Sequence, residues 1–400
     1  MRTAHSWTRL DGVDVLRGLA IFFVLMNHVN IRLIQANVDY SKGLPDQLVS
    51  ALVWNGQCGV QIFFAISGFL ITSTTIRRWG ALSRVDVRDF YLLRFARIAP
   101  LFLLLVGVLS AFHLAHMKHF VISPETGGLS GALFAAFTFR VNVLEARHGY
   151  LPGSWDILWS LSVEEMFYFF FPPICRVLGR GKLLIVLLTG FVVCGPFART
   201  VFAHRNEIWR EYSYLAGMDA IALGCLTALL VSRVRFSPFV LRILPSFGIA
   251  ILTFSLGFST AAYAAGLARN GLLMTILAVG TCMSTASAAQ TKWTAPWVLR
   301  PVVKLGQRSY EIYLTHMFVV FGLFELFVLI GKPIAAVPAL FTAVILVSGL
   351  SGEMVAHFIP SLGIVGFAES GETELAGSDQ LSVEPWSTRK ILRRLSLILH

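Results

Sequence analysis

The chain has 400 residues, 56% of them hydrophobic and only 14% charged, where an ordinary soluble domain carries about 25% charged residues. With a mean hydropathy of +0.71, this excludes a water-soluble globular enzyme and a disordered chain alike. The apolar residues fall in blocks close to the ~20 residues that cross a bilayer, so the chain reads as a polytopic membrane protein. Its formal net charge of +11 then has a topological reading ahead of a nucleic-acid one.

In chain order, MRTAHSWTRLDGVDVLRG followed by LAIFFVLMNHVNI has the basic-then-apolar order of a signal peptide. No small-residue cleavage site closes it, so it reads as a first, retained span. Apolar blocks run over 13–34, 59–76, 90–115, 129–144, 157–178, 183–203, 212–231, 245–263, 271–289, 309–330 and 334–359. The five cysteines, Cys58, Cys175, Cys194, Cys225 and Cys282, all lie in apolar stretches, scattered and without a C-x-x-C. They read as small buried hydrophobes.

The distribution of basic residues tests the number of crossings. Clusters at Arg2/Arg9/Arg17, Arg77–Arg97, Arg176–Lys182, Arg233–Arg242, Lys292–Arg308 and Arg389–Arg394 hold most of the 33 Lys and Arg residues. They share one face only if a single segment between Phe90 and Arg176 fails to cross. The weakest candidate is 129–144, short for a span and followed by Arg140, Asn142, Glu145, Arg147 and His148. The expectation is an all-α membrane helix bundle of about ten transmembrane helices, with 129–144 re-entrant or peripheral at the outer face. Both termini are expected in the cytoplasm, the bundle in the inner membrane. Residues 1–360 form the membrane domain, and 361–400 a cytoplasmic polar tail whose end, TRKILRRLSLILH, suits a basic amphipathic helix or a solvated segment.

Ionisable groups inside spans cost roughly 2.5–3.5 kcal/mol each on insertion scales, so each needs a reason. Arg17 and His28 lie eleven residues apart in the first span, within about 20° of three full turns and roughly 16 Å along the axis. Both therefore point the same way. Arg94 and Arg97 open the third span as an R-x-x-R pair; neighbours on a helix, they either converge on one anion or mark the cytoplasmic side. Glu164 and Glu165 sit in GSWDILWSLSVEEMFYFFFPP, with Ser160 and Tyr168 each one turn from Glu164. Two adjacent carboxylates diverge by about 100° and are not an acid/base pair by themselves. Topology places them towards the outer side, where a helix start would also favour them.

In KLGQRSYEIYLTHMF, Ser309, Tyr313 and His316 share a face, with offsets of about 40° and about −20°. His113, His116 and His119 follow H-x-x-H-x-x-H but fan over about 120° with no carboxylate or cysteine near, and no metal site is expected. The chain lacks H-x-x-x-x-D, G-x-S-x-G, a Gly-rich phosphate loop and hexapeptide repeats. Several soluble transferase and hydrolase chemistries lapse with them.

Five segments in order, LDGVDVLRGLAIFFVLMNHV, GVQIFFAISGFLIT, FYLLRFARIAPLF, SWDILWSLSVEEMFYFFFP and SYEIYLTHMF, give the chain a resemblance to the acyltransferase 3 family of integral membrane acyltransferases. The family modifies surface glycans, O-antigens, lipo-oligosaccharides and some antibiotics. Ile66 and the Glu311–Ile312 pair are minor departures from its pattern. The resemblance implies ten helices and an acyl-CoA donor, usually acetyl-CoA, approached from the cytoplasm, with no permanently bound cofactor. Position by position, Arg17 and His28 match the family's R-then-H pair, Arg94 and Arg97 its R-x-x-R, and Glu164 the glutamate of WSLSVEE.

The resemblance thus implies catalytic roles for His28 and Glu164 and donor binding by Arg17, Arg94 and Arg97. Ser160, Glu165, Tyr168, Ser309, Tyr313 and His316 remain further candidates. Imidazole titrates near neutral pH and suits His28 to general-base work on an acceptor hydroxyl, with an acyl-histidine as the longer route. Expected partners are membrane lipids, acyl-CoA and a glycan or glycolipid acceptor; nothing points to nucleic acid. Family members often carry a fused C-terminal hydrolase-like domain, for which the tail offers no room. The alternatives are a secondary transporter with a His/Arg/Glu relay, which lacks the expected broken-helix repeats, and an acyltransferase for a lipid or antibiotic acceptor.

Overall fold

The computed structural model describes residues 10–291 and 293–361. The polar tail expected at 361–400, with its amphipathic end, lies outside the described residues apart from Ser361. No strand occurs among the described residues, which form an all-α bundle. In order the helices are α1 (Asp11–Gln35), α2 (Asp46–Val53), α3 (Gly56–Trp79), α4 (Val87–Leu114), α5 (Gly128–Phe137) and α6 (Val141–His148). They continue with α7 (Gly153–Asp156), α8 (Leu158–Leu178), α9 (Leu183–Ala203), α10 (Glu207–Tyr212), α11 (Tyr214–Arg233) and α12 (Pro238–Gly257). The last are α13 (Ser259–Ala264), α14 (Leu272–Gln290), α15 (Arg300–Gln307), α16 (Ser309–Leu329) and α17 (Val337–Ser361).

Among the described residues, nine helices are long and apolar enough to cross a membrane, α11 being continued backwards by α10 in that count. The chain is a multi-pass membrane protein. The tenth long helix, α8, has 21 residues but carries Glu164, Glu165 and Arg176, which lower its mean hydropathy. The block at 129–144, expected to re-enter or lie at the outer face, is broken in two. Its halves, α5 and α6, have 10 and 8 residues and are separated by Phe139 in the left-handed region, at φ 54°. Each is too short to cross at 1.5 Å per residue.

Local chemistry sets the helix starts. Asp86 accepts a hydrogen bond from the Asp89 N–H at 2.9 Å and caps α4; Ser213 caps α11 from the Ala216 N–H at 3.3 Å. The block expected to open at 245 opens earlier. Ser237 caps α12 through the Val240 N–H and Pro238 follows in the first turn, so Pro245 lies inside the helix. Cys194 corrects the reading of the cysteines: it is exposed on α9, while the other four are buried. An apolar environment outside the bundle explains its place in the sequence equally well.

The bundle is centred on α1, α3 and α11. In α3 and α11, 67% of the most apolar stretch is buried, against 22% in α12 and α17 at the periphery. Small residues allow the central approach: a Cβ at Gly68 or Gly224 would strike the carbonyls of Ile221 and Ala65 across the α3–α11 contact. A buried ion pair, unforeseen from the sequence, ties the same layer together. Arg199 Nη2 on α9 lies 2.6 Å from Asp219 Oδ2 on α11. Asp219 Oδ1 also accepts from Gln61 at 3.0 Å, and Arg199 reaches the Gly271 carbonyl at 2.9 Å and Thr275 at 2.6 Å. With its partners supplied by four helices, the pair is a structural joint.

Candidate active site

Helix α1 carries the axis of the site. Arg17, His28 and Arg32 project on one side of it, because the eleven-residue and four-residue steps both fall near whole turns. Arg17 lies 3.6 Å from Asp14 and within electrostatic reach of Arg97, Glu311 and Glu164. Residues from α4, α8 and α16 therefore converge on the first third of α1.

Deeper along α1, His28 meets His316 of α16. Their ring centroids are 5.0 Å apart, with the planes tilted by 48°. His316 is fully buried. Its Nδ1 lies 2.7 Å from the Tyr313 carbonyl oxygen, which can only accept, so Nδ1 carries the proton and Nε2 presents a lone pair in the neutral ring. That Nε2 has no hydrogen-bond partner among the described residues. His28 is partly buried, and no hydrogen bond to its ring occurs among the described residues. Beside the two imidazoles, the Tyr313 hydroxyl lies 2.6 Å from Ser160 Oγ and donates to the Ile157 carbonyl at 3.3 Å. Ser160, Tyr313 and His316 thus gather on the side of the site formed by α8 and α16.

The second focus joins α3, α4 and α8. Arg94 lays its guanidinium over the Tyr168 ring, with Cζ 3.6 Å from the centroid, a stacked cation–π arrangement. Glu164 accepts hydrogen bonds from the Ser67 and Tyr168 hydroxyls. Topology alone had put the glutamates towards the outer side. The structure draws Glu164 down to Ser67, which lies halfway along α3, and to the level of Arg94. The two arginines of R-x-x-R differ in setting: Arg94 is partly buried against Tyr168, whereas Arg97 is exposed. Arg97 lies within electrostatic reach of Arg17, Glu165 and Tyr310. Three guanidinia thus border one region, with Glu164 and Glu165 between them.

His28 and Glu164 are not brought into contact. The hydrogen bonds of Glu164 go to Ser67 and Tyr168, and the ring facing His28 is that of His316. Ser309 is buried at the start of α16, seven residues and roughly 10 Å along the axis from His316. It shares the face but not the contact. The three histidines after α4 go separate ways. His113 Nδ1 accepts from the Ile122 N–H at 3.0 Å, while His119 stacks on Phe321 and reaches Glu325 at 2.7 Å.

Several residues at the site escaped sequence reasoning. Ser67 is a lone hydroxyl in an apolar run, without any spacing signal. Arg32 lies one turn beyond His28, with its guanidinium 5.4 Å from the Phe321 ring and a buried Nε that has no partner among the described residues; its position i+4 from His28 was the available signal. Beyond it, between the spanning helices, Glu145 and Asp156 lie within hydrogen-bonding reach of one another. Glu145 accepts from the Leu151 N–H at 3.0 Å and Asp156 from the Tyr212 hydroxyl at 3.3 Å. Burial pushes the Glu145 carboxyl well above the usual carboxylate range and that of Asp156 up to about 6, with Tyr212 and Arg32 holding the latter back.

A multi-pass helical bundle with histidines, arginines and a glutamate gathered inside it defines a membrane protein with an internal polar site. The sequence model of the acyltransferase 3 family, an acyltransferase domain, matches residues 10–352, and the chain belongs to that family. It is similar to the peptidoglycan O-acetyltransferase OatA of Listeria monocytogenes serovar 1/2a, 26% identical over 345 residues, covering 78% of this chain and 50% of the relative. It is also similar to the O-acetyltransferase OatA of Staphylococcus aureus strain NCTC 8325, 23% identical over 330 residues, covering 78% of this chain and 51% of that protein. The chain spans about half the length of these curated relatives. No solved structure matches it.

Proposed function

We propose that the chain is a membrane-bound O-acyltransferase that moves an acetyl group from cytoplasmic acetyl-CoA to a hydroxyl of a cell-surface glycan. The names of its relatives support an acetyl group and a glycan acceptor. The observation that carries the chemistry is His28, with no hydrogen bond to its ring among the described residues, facing the unpartnered lone pair of His316 inside an apolar bundle. A ring held this way leaves its nitrogens to a substrate hydroxyl.

In this reading the bundle lies in the inner membrane with the Asp11 end of α1 at the cytoplasm. Arg17, Arg94 and Arg97 hold the phosphates of CoA there, guanidinium forks matching phosphate oxygens. The pantetheine arm runs up α1 towards His28, roughly 16 Å away along the axis. His28 removes the proton of the acceptor hydroxyl as that oxygen attacks the thioester carbonyl. A carbon–oxygen bond forms, the carbon–sulfur bond breaks, and the departing thiolate of CoA recovers the proton from His28. Glu164, fixed by Ser67 and Tyr168, places negative charge beside the arginines and positions Arg94 and Tyr168 for the donor. The test is transfer of labelled acetyl groups from acetyl-CoA to purified glycan strands in proteoliposomes. Transfer by the wild type and none by a well-folded His28→Ala protein is expected; near-normal transfer by that variant removes His28 from the chemistry.

A further inference from the structure

At the Gln35 end of α1, on the far side of the helix from His316, the chain forms a cleft of about 370 Å3. It is lined by the polar or aromatic Asn30, Asn37, Asp39, Tyr40, Ser41 and Trp54 and by the aliphatic Ile34, Val38 and Val49. Asn30 is 1% exposed. Its Oδ1 accepts from the Tyr40 hydroxyl at 2.6 Å, and its Nδ2 is buried without a hydrogen-bond partner among the described residues. Trp54, by contrast, is 56% exposed and offers an apolar face with a polar edge.

The lining selects a ligand class. It contains no lysine or arginine, which disfavours a phosphate or carboxylate; its aliphatic side chains suit an apolar face, and its amides, hydroxyls and carboxylate a hydroxylated rim. An indole platform beside amides, hydroxyls and a carboxylate suits a neutral pyranose, whose C–H face is apolar and whose rim is hydroxylated. The volume falls within the ordinary range of small-ligand sites.

We infer that this cleft is a saccharide subsite. Resting on the acetyltransferase reading, it would hold a sugar unit of the acceptor strand other than the one that reacts. The geometry requires that distinction: Asn30 is two residues beyond His28, so the side chains diverge by about 200° around α1 while differing by only about 3 Å along it. A strand reaching both must pass over the end of α1, and a single unit cannot occupy both places.

Two measurements on the full chain in detergent or proteoliposomes test the proposal separately from the catalytic reading. The first is binding of neutral N-acetylhexosamine oligosaccharides, without acetyl-CoA, to wild type, Trp54→Ala and Trp54→Phe. Saturable binding weakened at least tenfold in Trp54→Ala and largely restored in Trp54→Phe is expected. Equal binding by all three, or none by the wild type, overturns the subsite. The second is transfer to long and short acceptors. Trp54→Ala should lose about tenfold in kcat/KM on the long acceptor and keep the wild-type value on the shortest; equal loss on both also overturns it. Oligosaccharide binding that needs Trp54, with no transfer to any acceptor, leaves the subsite standing and refutes the acetyltransferase.

Discussion

His28 and His316 face one another at 5.0 Å between ring centroids, and the Tyr313 carbonyl fixes which nitrogen of His316 holds the proton. The two residues are far apart in the chain and meet because α1 and α16 lie side by side. Only one of the rings has a hydrogen bond to the protein among the described residues, which separates their roles: His316 is held, His28 is free.

That separation predicts unequal losses. His28→Ala should reduce kcat by about 100-fold or more, the usual scale for a positioned acid/base, with folded yield unchanged. His316→Gln removes the facing ring while leaving His28 in place, and should cost less in kcat. Steady-state transfer in proteoliposomes, with size-exclusion profiles as the folding control, measures both. Equal losses would mean that the imidazoles act as one unit.

The two arginines of R-x-x-R are predicted to fail differently. Arg94 is stacked on Tyr168, so Arg94→Lys keeps the charge but loses the planar stack and should raise the acetyl-CoA KM several-fold. Exposed Arg97 is expected to act as a charge alone, so Arg97→Lys should come close to wild type. Raising the salt concentration should weaken donor binding in both. Identical behaviour of the two lysine variants would show that stacking on Tyr168 contributes nothing.

Away from the site, the Arg199–Asp219 pair makes a prediction about stability alone. Removing either partner leaves the other charge buried, a loss on the order of 3–5 kcal/mol, whereas removing both costs less than the sum. Thermal unfolding of Arg199→Ala, Asp219→Ala and the double variant in detergent measures the coupling. Additive losses would show that the pair is not energetically joined.

The Glu145–Asp156 pair gives a pH dependence. Both folded-state carboxyls titrate above their unfolded values, Asp156 at about 6, so protons bind the folded form more tightly. The contribution to stability is complete below the unfolded range near ~4 and is lost as pH rises through about 6. Wild-type Tm should therefore fall between pH 5 and pH 7 relative to Asp156→Asn, in which this titration is absent. Parallel pH profiles would contradict the raised values.

The all-α bundle was legible because apolar blocks of membrane length dominate the sequence, and positive charge pointed to 129–144 as the block that does not cross; its break at Phe139 carried no such signal. The shared face of Arg17 and His28 was legible too, since it follows from residue spacing within one helix. Contacts between helices were not. Glu164 binding Ser67, and His28 facing His316 and not Glu164, depend on how α1, α3, α8 and α16 are arranged, which no periodicity encodes. The start of α12 was missed because Pro245 resembles a helix start while the Ser237–Pro238 cap is a weaker signal in an apolar chain. Arg199 and Asp219 stood as isolated charges until packing joined them.

The most direct measurement is acetyl-CoA binding to the detergent-purified protein, by calorimetry, comparing wild type with Arg94→Ala/Arg97→Ala. Saturable binding by the wild type, lost in the double variant while His28→Ala still binds, is the predicted result. It would place the donor at the arginines and separate its binding from His28. No binding by a well-folded wild type would contradict an acyl-CoA donor.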